Sequence, residues 1–266
     1  MTDEVLTQTE EGLAIVTLNR PERLNALTRT MLDGLLETLK AVAANPGIGC
    51  VVLTGAGRAF CSGGDVQVQA QNAGKVRLDA SPEQRADQLR AGMEASRLLH
   101  EMPKPTIAMV NGVAAGAGMS LALACDMRFV GQSARMTTAF ARVGLSGDYG
   151  GTYFLTRLLG PALARELYFT CEMLDSARLQ ALGLASRLIA DDRLVTETLD
   201  FARRLAAGPR VAFRYIKRNM KAAEEGTLND VLDTEAIGLM RCRESEDHAE
   251  AARAFVEKRA PVFRGR

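Results

Sequence analysis

Two glycine-rich turns, each next to an apolar run typical of a buried strand, constrain the fold of this 266-residue chain more than any other feature. The first turn lies at 60–65 (FCSGGD) and the second at 111–118 (NGVAAGAG). Turns of this kind bring bare backbone N–H groups close to a neighbouring group. When two of them converge on one carbonyl oxygen, they stabilise the negative charge that develops there, as in an oxyanion hole. The pair therefore predicts strand–turn–helix units and chemistry on an acyl group.

The order of the predicted elements indicates a layered α/β fold. Apolar runs predict strands at 13–18, 50–54, 106–110 and 126–131, with a further short strand at 186–190. Helices are predicted at 28–44, with Thr28 as N-cap, at 81–101 behind Ser81, and directly after the second turn. Beyond Gly150 the predicted helices are 152–159, 161–170, 176–182, 192–206, 210–224, 228–240 and 247–259. Strands alternating with helices are typical of right-handed sheet folds.

Composition excludes several classes of function. The net charge of +1 argues against a surface that binds nucleic-acid phosphates. Five scattered cysteines without a CxxC pair favour a reducing, cytoplasmic location over a disulfide framework. With only two histidines, a His-rich metal site is not expected.

The segment 107–125 is nearly all apolar and mimics a membrane span. Pro103 and Pro105 precede it, Asn111-Gly112 is a strong turn signal, and three glycines would break a single helix. A buried strand, a turn and a buried helix fit this pattern better than a membrane helix. No association with membranes is therefore expected.

Five blocks of sequence carry a resemblance to a known family. They are 18–27 (LNRP and LNAL), 60–65, 104–126 from Lys104-Pro105 to Cys125-Asp126, 150–160 (GGT and RLLG) and 255–263 (FVEKRAPVF). One glycine cluster alone is a weak signal, but these blocks occur in order along almost the whole chain. In them the chain resembles the crotonase superfamily, also called the enoyl-CoA hydratase/isomerase family.

The resemblance implies an α/β fold: a spiral of ββα units followed by a C-terminal helical trimerisation region. We expect residues 1–205 to form the core with the acyl-CoA site and residues 206–266 to form the helical region. The expected assembly is a homotrimer or a dimer of trimers. The substrate is expected to be an acyl-CoA thioester, with CoA as part of the substrate and no separate cofactor.

By motif position, the resemblance implies that the backbone N–H groups of Gly64 and Ala117 form the oxyanion hole. The helix near Ala117 would direct its positive end at the thioester oxygen. Further positions expected to line the substrate are Ser62, Asp65, Val66, Gln67, Gly116, Ser120, Phe140 and Tyr149. Arg23 and Ala26 match the region that holds the CoA nucleotide, and Lys258 is expected to reach the CoA phosphates.

Proton chemistry is predicted to fall on Asp148. Ser120 and Phe140 occupy the positions where hydratases of the family carry glutamates. Serine is a poor base without an activating neighbour, so a hydrogen bond from Ser120 to a main-chain carbonyl is expected instead. Asp148 matches the acidic residue of several non-hydratase branches, while the alternative is a turn aspartate that caps the helix near Gly150. We expect an isomerase in which Asp148 moves a proton; the alternatives are a hydratase that uses Asp148 alone and a non-catalytic acyl-CoA-binding protein.

Overall fold

The computed structural model describes residues 3–65 and 80–266. Within these residues the strands are β1 Val5–Glu10, β2 Leu13–Leu18, β3 Cys50–Gly55, β4 Ala59–Cys61, β5 Thr106–Val110, β6 Val113–Ala115, β7 Met127–Gly131, β8 Arg135–Thr137, β9 Leu174–Asp175 and β10 Arg187–Ile189. The helices are α1 Arg29–Ala44, α2 Pro82–Gly92, α3 Glu94–Glu101, α4 Ala117–Ala124, α5 Gly151–Leu159, α6 Pro161–Thr170, α7 Ser176–Ala181, α8 Leu194–Ala206, α9 Arg210–Glu225, α10 Leu228–Arg243 and α11 Glu246–Val256.

Successive strands enter two different sheets. The larger sheet has the order β1-β2-β3-β5-β7-β10 and the smaller one the order β4-β6-β8-β9. From β2 to β10 the larger sheet is parallel, and β4, β6 and β8 are parallel in the smaller one. The first strand belongs to the larger sheet and the second to the smaller one in each of the pairs β3–β4, β5–β6 and β7–β8. This alternation confirms the predicted spiral of ββα units.

The larger sheet is covered on both faces, as its continuous apolar strands require. Helix α1 begins at the predicted N-cap, where the Thr28 hydroxyl accepts a hydrogen bond from the Met31 N–H. It buries Met31, Leu35 and Leu39 in the core cluster shared with the smaller sheet. Helix α8 covers the opposite face, and Leu194 lies there among strand residues. The sheet is thereby held rigidly enough to support the turns that leave its strands.

Most predicted elements are present, with three kinds of difference. The polar strand β1 was not predicted, because it is an exposed edge strand paired only with β2. The three-residue strands β4, β6 and β8 are too short to give a periodic pattern. The helix predicted at 81–101 is two helices, α2 and α3, which meet at Met93. Across the described residues, no helix has both the length and the hydropathy needed to cross a membrane.

Candidate active site

The two glycine-rich turns meet because the strands that lead into them are neighbours. Strand β4 pairs in parallel with β6, so that Cys61 lies opposite Ala114 and both strands end at one edge of the sheet. A Cβ atom added at Gly63 would lie 2.8 Å from the Ala115 carbonyl oxygen and 3.7 Å from the Ala117 nitrogen. Only glycine allows this approach, which brings the first turn against the amide of Ala117.

The second turn places the Ala117 amide at the start of a buried helix. Gly116 has a φ of 54° and precedes α4, and its own N–H donates to the Thr137 carbonyl at 3.0 Å. The N–H groups of the first helical turn have no acceptor within the helix, and the helix dipole is positive there. The amide of Ala117 is therefore a hydrogen-bond donor in a positive potential, beside Gly63.

The first turn is held in place by the segment before α1. The Leu27 N–H donates to the Gly63 carbonyl at 2.8 Å, and the Ser62 N–H donates to the Leu24 carbonyl at 3.0 Å. Gly64 forms an isolated parallel bridge with Leu27. These bonds fix the backbone of the turn without a substrate, which is the preorganisation that an oxyanion hole needs.

Phe140 forms an apolar wall beside the second turn. Its ring is 3.7 Å from the position of a Cβ at Gly116, and the residue is 7% exposed. The ring of Tyr168 lies parallel to it, with centroids 6.2 Å apart and an interplanar angle of 2°. Tyr168 was not predicted as a site residue, because its position in an amphipathic helix gives no sequence signal. The phenol oxygen of Tyr168 is 3.7 Å from the position of a Cβ at Gly147, one residue before Asp148.

The carboxyl group of Asp148 is half-buried beside these rings, with its Oδ1 atom shielded from solvent. Its Oδ1 atom has no hydrogen-bond partner among the described residues. Burial raises the pKa of Asp148 to about 6. Its charge also helps to raise the pKa values of the Cys61 thiol, the Tyr149 phenol and the Tyr168 phenol, in each case after the larger effect of burial. The charge of Asp148 therefore acts on Cys61, the residue from which the first turn departs.

The purely structural roles considered for Asp148 and Ser120 have different outcomes. Helix α5 has Gly150 as N-cap with no side-chain hydrogen bond, so Asp148 does not cap it. Ser120 does have its expected structural role, because its hydroxyl donates to the Gly116 carbonyl at 3.3 Å. Ser120 is 1% exposed and touches α5 at Gly151. No base that could activate its hydroxyl is bonded to it in the described structure.

A cluster of charges closes the outer side of the first turn. Asp65 is 8% exposed and forms ion pairs with Arg20 and Arg23, both at 3.4 Å. A guanidinium nitrogen of Arg20 also donates to the Ala26 carbonyl at 2.6 Å. The structure thus brings together Arg23, Ala26 and Asp65 beside Ser62, four positions expected from the sequence to line the substrate.

Four other predicted positions have different outcomes. Val66 and Gln67 lie outside the described residues. Tyr149 has a φ of 51° and is 2% exposed, with its hydroxyl 3.2 Å from the position of a Cβ at Gly92 in α2. Its phenol oxygen therefore lies against α2. Lys258 lies in the turn after α11 with an exposed side chain, and it forms no ion pair with residues 3–65 or 80–266.

Comparison with known proteins decides the family. A family model described as enoyl-CoA hydratase/isomerase matches residues 8–266. The chain belongs to the enoyl-CoA hydratase/isomerase family. It is 36% identical to the 1,2-epoxyphenylacetyl-CoA isomerase of Escherichia coli K12, over all of both chains. It is 31% identical to the crotonyl-CoA hydratase of Syntrophomonas wolfei, over 98% of each.

Solved structures of the family have the same fold. An enoyl-CoA hydratase from Polaromonas sp. JS666 superposes with a TM-score of 0.90 at 35% identity, covering 98% of this chain and 99% of its own. The crotonase-like fold that the sequence predicted is thereby confirmed. Relatives of this enoyl-CoA hydratase/isomerase family member include both isomerases and hydratases, so the family alone does not select the reaction.

Proposed function

We propose that this enzyme isomerises acyl-CoA thioesters, moving a double bond or rearranging a ring acyl group, with Asp148 as the acid and base. The observation that carries the proposal is the carboxyl group of Asp148, which is half-buried, lacks a hydrogen-bond partner for Oδ1 and has its pKa raised to about 6. A general base is most effective when its pKa lies near the working pH. Buried carboxyl groups of this kind are typical of catalytic sites.

The proposed mechanism uses backbone and side chain for separate tasks. The thioester oxygen accepts hydrogen bonds from the amides of Gly64 and Ala117, which stabilise the enolate that forms when a proton leaves the neighbouring carbon. Asp148 takes that proton and returns it to another carbon of the same acyl group. No electron is gained or lost overall, so the reaction needs neither a metal nor a redox cofactor. Phe140 and Tyr168 exclude water from the reacting carbons.

Two residues argue against hydration as the main reaction. Adding water requires a group that holds and orients the water molecule as well as a base. Phe140 cannot hydrogen-bond to water, and the hydroxyl of Ser120 is already bonded to the Gly116 carbonyl. The similarity to 1,2-epoxyphenylacetyl-CoA isomerase is the reason for including a ring acyl group among the proposed substrates.

The test offers the enzyme a 3-enoyl-CoA, a 2-enoyl-CoA and a ring acyl-CoA epoxide, and follows each by absorbance and product analysis. We expect isomerisation of the first or the third, and a loss of about 10²- to 10⁴-fold in kcat for Asp148→Asn. Asp192→Asn is the matched control, because Asp192 is exposed in the turn before α8.

Three results would overturn the proposal. Hydration of the 2-enoyl-CoA without isomerisation of any substrate would identify a hydratase. Tight binding of CoA with no turnover of any thioester would identify a binding protein. Retention of full isomerase activity in Asp148→Asn would remove Asp148 from the mechanism.

For the assembly we propose a homotrimer or a dimer of trimers built through the C-terminal helices. Large apolar side chains remain exposed there, including Met220 at 63%, Leu228 at 72% and Phe255 at 85%. Exposed apolar groups at this density are typical of contact surfaces between subunits. Sedimentation-equilibrium analysis that finds a monomer at micromolar concentration would contradict this assembly.

A further inference from the structure

A second cavity, separate from the candidate active site, contains positive charge without negative charge. It has a volume of about 140 Å³ and lies where the end of α1, the residues before β3 and β5, the start of α9 and the C-terminal tail meet. Three of its lining residues are cationic: Lys104, Arg210 and Arg214. None of the residues that line it is Asp or Glu, and none belongs to the two glycine-rich turns.

The hydrogen bonds of these cations go to neutral oxygens. The Lys104 ammonium is 5% exposed and donates to the carbonyls of Val42 and Asn45 at 2.7 and 2.8 Å. The Arg210 guanidinium donates to the carbonyls of Pro46 and Arg264 at 2.7 and 3.1 Å. Arg214 is exposed and forms no hydrogen bond or ion pair within the described ranges 3–65 and 80–266.

Uncompensated positive charge in a partly buried place has a free-energy cost. Burial, followed by repulsion from Arg214 and Arg210, lowers the pKa of Lys104 to about 8. Helix α9 adds to the positive potential, because it begins at Arg210 behind Pro209, whose side chain cannot cap it. An anion in the cavity would compensate the charges of the three cations and the positive end of α9.

We propose that this cavity, lined by Lys104, Arg210 and Arg214, is a binding site for a small oxyanion of the phosphate class. Arginine presents several N–H donors in a plane and lysine a compact charge, a combination that suits tetrahedral oxyanions. The volume accommodates inorganic phosphate. The site joins the core, through Asn45 and Lys104, to the C-terminal helical region, through Arg210 and Arg214. A bound anion therefore links the two parts of the chain and stabilises the native state.

The experiment measures thermal unfolding and titration calorimetry with inorganic phosphate in a buffer of low ionic strength at pH 7. Sodium chloride at equal ionic strength is the reference. The variants are Arg214→Gln, which removes an exposed charge from the cavity, Arg214→Lys, which keeps the charge, and Arg218→Gln. Arg218 is the matched control, because it is exposed on the same helix and does not line the cavity.

We expect phosphate to raise the midpoint of unfolding saturably in the wild type and in Arg218→Gln, as binding to the native state requires. The apparent Kd for phosphate should rise at least tenfold in Arg214→Gln and only a few fold in Arg214→Lys. Equal stabilisation by chloride, or the same Kd in Arg214→Gln as in Arg218→Gln, would overturn the site. Neither result depends on the proposed isomerase activity, because the readouts are binding and unfolding.

Discussion

The candidate active site and the cationic cavity are opposite in charge but share one property. At the first, the half-buried carboxyl group of Asp148 lacks a hydrogen-bond partner for Oδ1 in the described residues. At the second, Lys104, Arg210 and Arg214 share a cavity whose lining contains no carboxylate. Two other carboxylates have cationic partners: Asp126 accepts from Lys217 at 2.8 Å, and the buried Asp65 forms ion pairs with Arg20 and Arg23.

The difference between paired and unpaired charges indicates where a ligand takes part. A buried charge is costly unless a partner compensates it, so a fold that tolerates one has a reason outside its own contacts. At Asp148 that reason is a proton exchanged with a substrate, and at the cationic cavity it is an anion. Paired carboxylates such as Asp65 instead hold the backbone of the site. Substitutions of paired and unpaired charges should therefore differ in their effects on activity and stability.

A large loss of activity is expected from removing one amide of the oxyanion hole. Ala117→Pro deletes the N–H but keeps α4, because proline is well tolerated at the first position of a helix. We expect kcat to fall by about 10²- to 10³-fold, while Ala117→Gly, which keeps the N–H, retains activity. Steady-state kinetics measure this, and a fully active Ala117→Pro enzyme would exclude the amide from catalysis.

A paired carboxylate should behave as a structural group. Asp65→Asn removes two ion pairs from a buried place, and we expect the free energy of unfolding to fall by about 2 kcal/mol. Asp33→Asn is the control, because Asp33 forms an exposed pair with Arg29 whose loss should cost about 0.5 kcal/mol or less. Urea unfolding distinguishes the two variants, and equal stability of both would show that Asp65 is not structural.

Replacing the unpaired carboxylate should raise the free energy of unfolding, whereas replacing a paired one lowers it. Because the pKa of Asp148 is raised from 3.8 to about 6 in the native state, ionisation opposes folding, fully above pH 6 and not at all below pH 4. We expect Asp148→Asn to be more stable than the wild type by about 2 kcal/mol at pH 8, after allowance for partial exposure. The gain should shrink between pH 6 and 4. Denaturant unfolding at these values measures it, and a variant less stable at pH 8 would contradict the unpaired state.

The smallest effect is expected at the cationic cavity. Arg214→Glu places a carboxylate near Lys104 and Arg210, and should stabilise the protein by about 0.5 kcal/mol at low salt. The gain should disappear in about 1 M salt, because screening is strong there. Thermal unfolding of Arg214→Glu beside Arg218→Glu measures the difference, and a destabilised Arg214→Glu would mean that the cavity carries no excess positive charge.

Sequence alone predicts the fold and the meeting of the two turns, but not the charges around them. The strand Thr106–Val110 is an unbroken apolar run, and helix α6 begins and ends where its pattern predicts. Strands β6 and β8 are not predicted, because a strand of three residues is too short to show a periodic pattern. The surroundings of such a charge are set by tertiary packing: Tyr168, on α6, comes close to the loop that carries Asp148.

The cationic cavity also could not be predicted from the sequence, because tertiary packing assembles it. Lys104 and Arg210 are far apart in sequence, and each stands in a segment whose local pattern is ordinary. Only the docking of α9 against the loop before β5 brings the two charges together. Net charge, which is +1 for the whole chain, conceals this local excess.

The parallel pairing of β4 with β6 also determines when activity can arise during folding. The two strands belong to different ββα units, with α2, α3 and β5 between them in sequence. Contacts that close such long intervals form late and slowly, because the chain must first lose the entropy of the intervening segment. A nascent or partly refolded chain that has completed only its first unit therefore has one glycine turn, one amide donor and no catalyst.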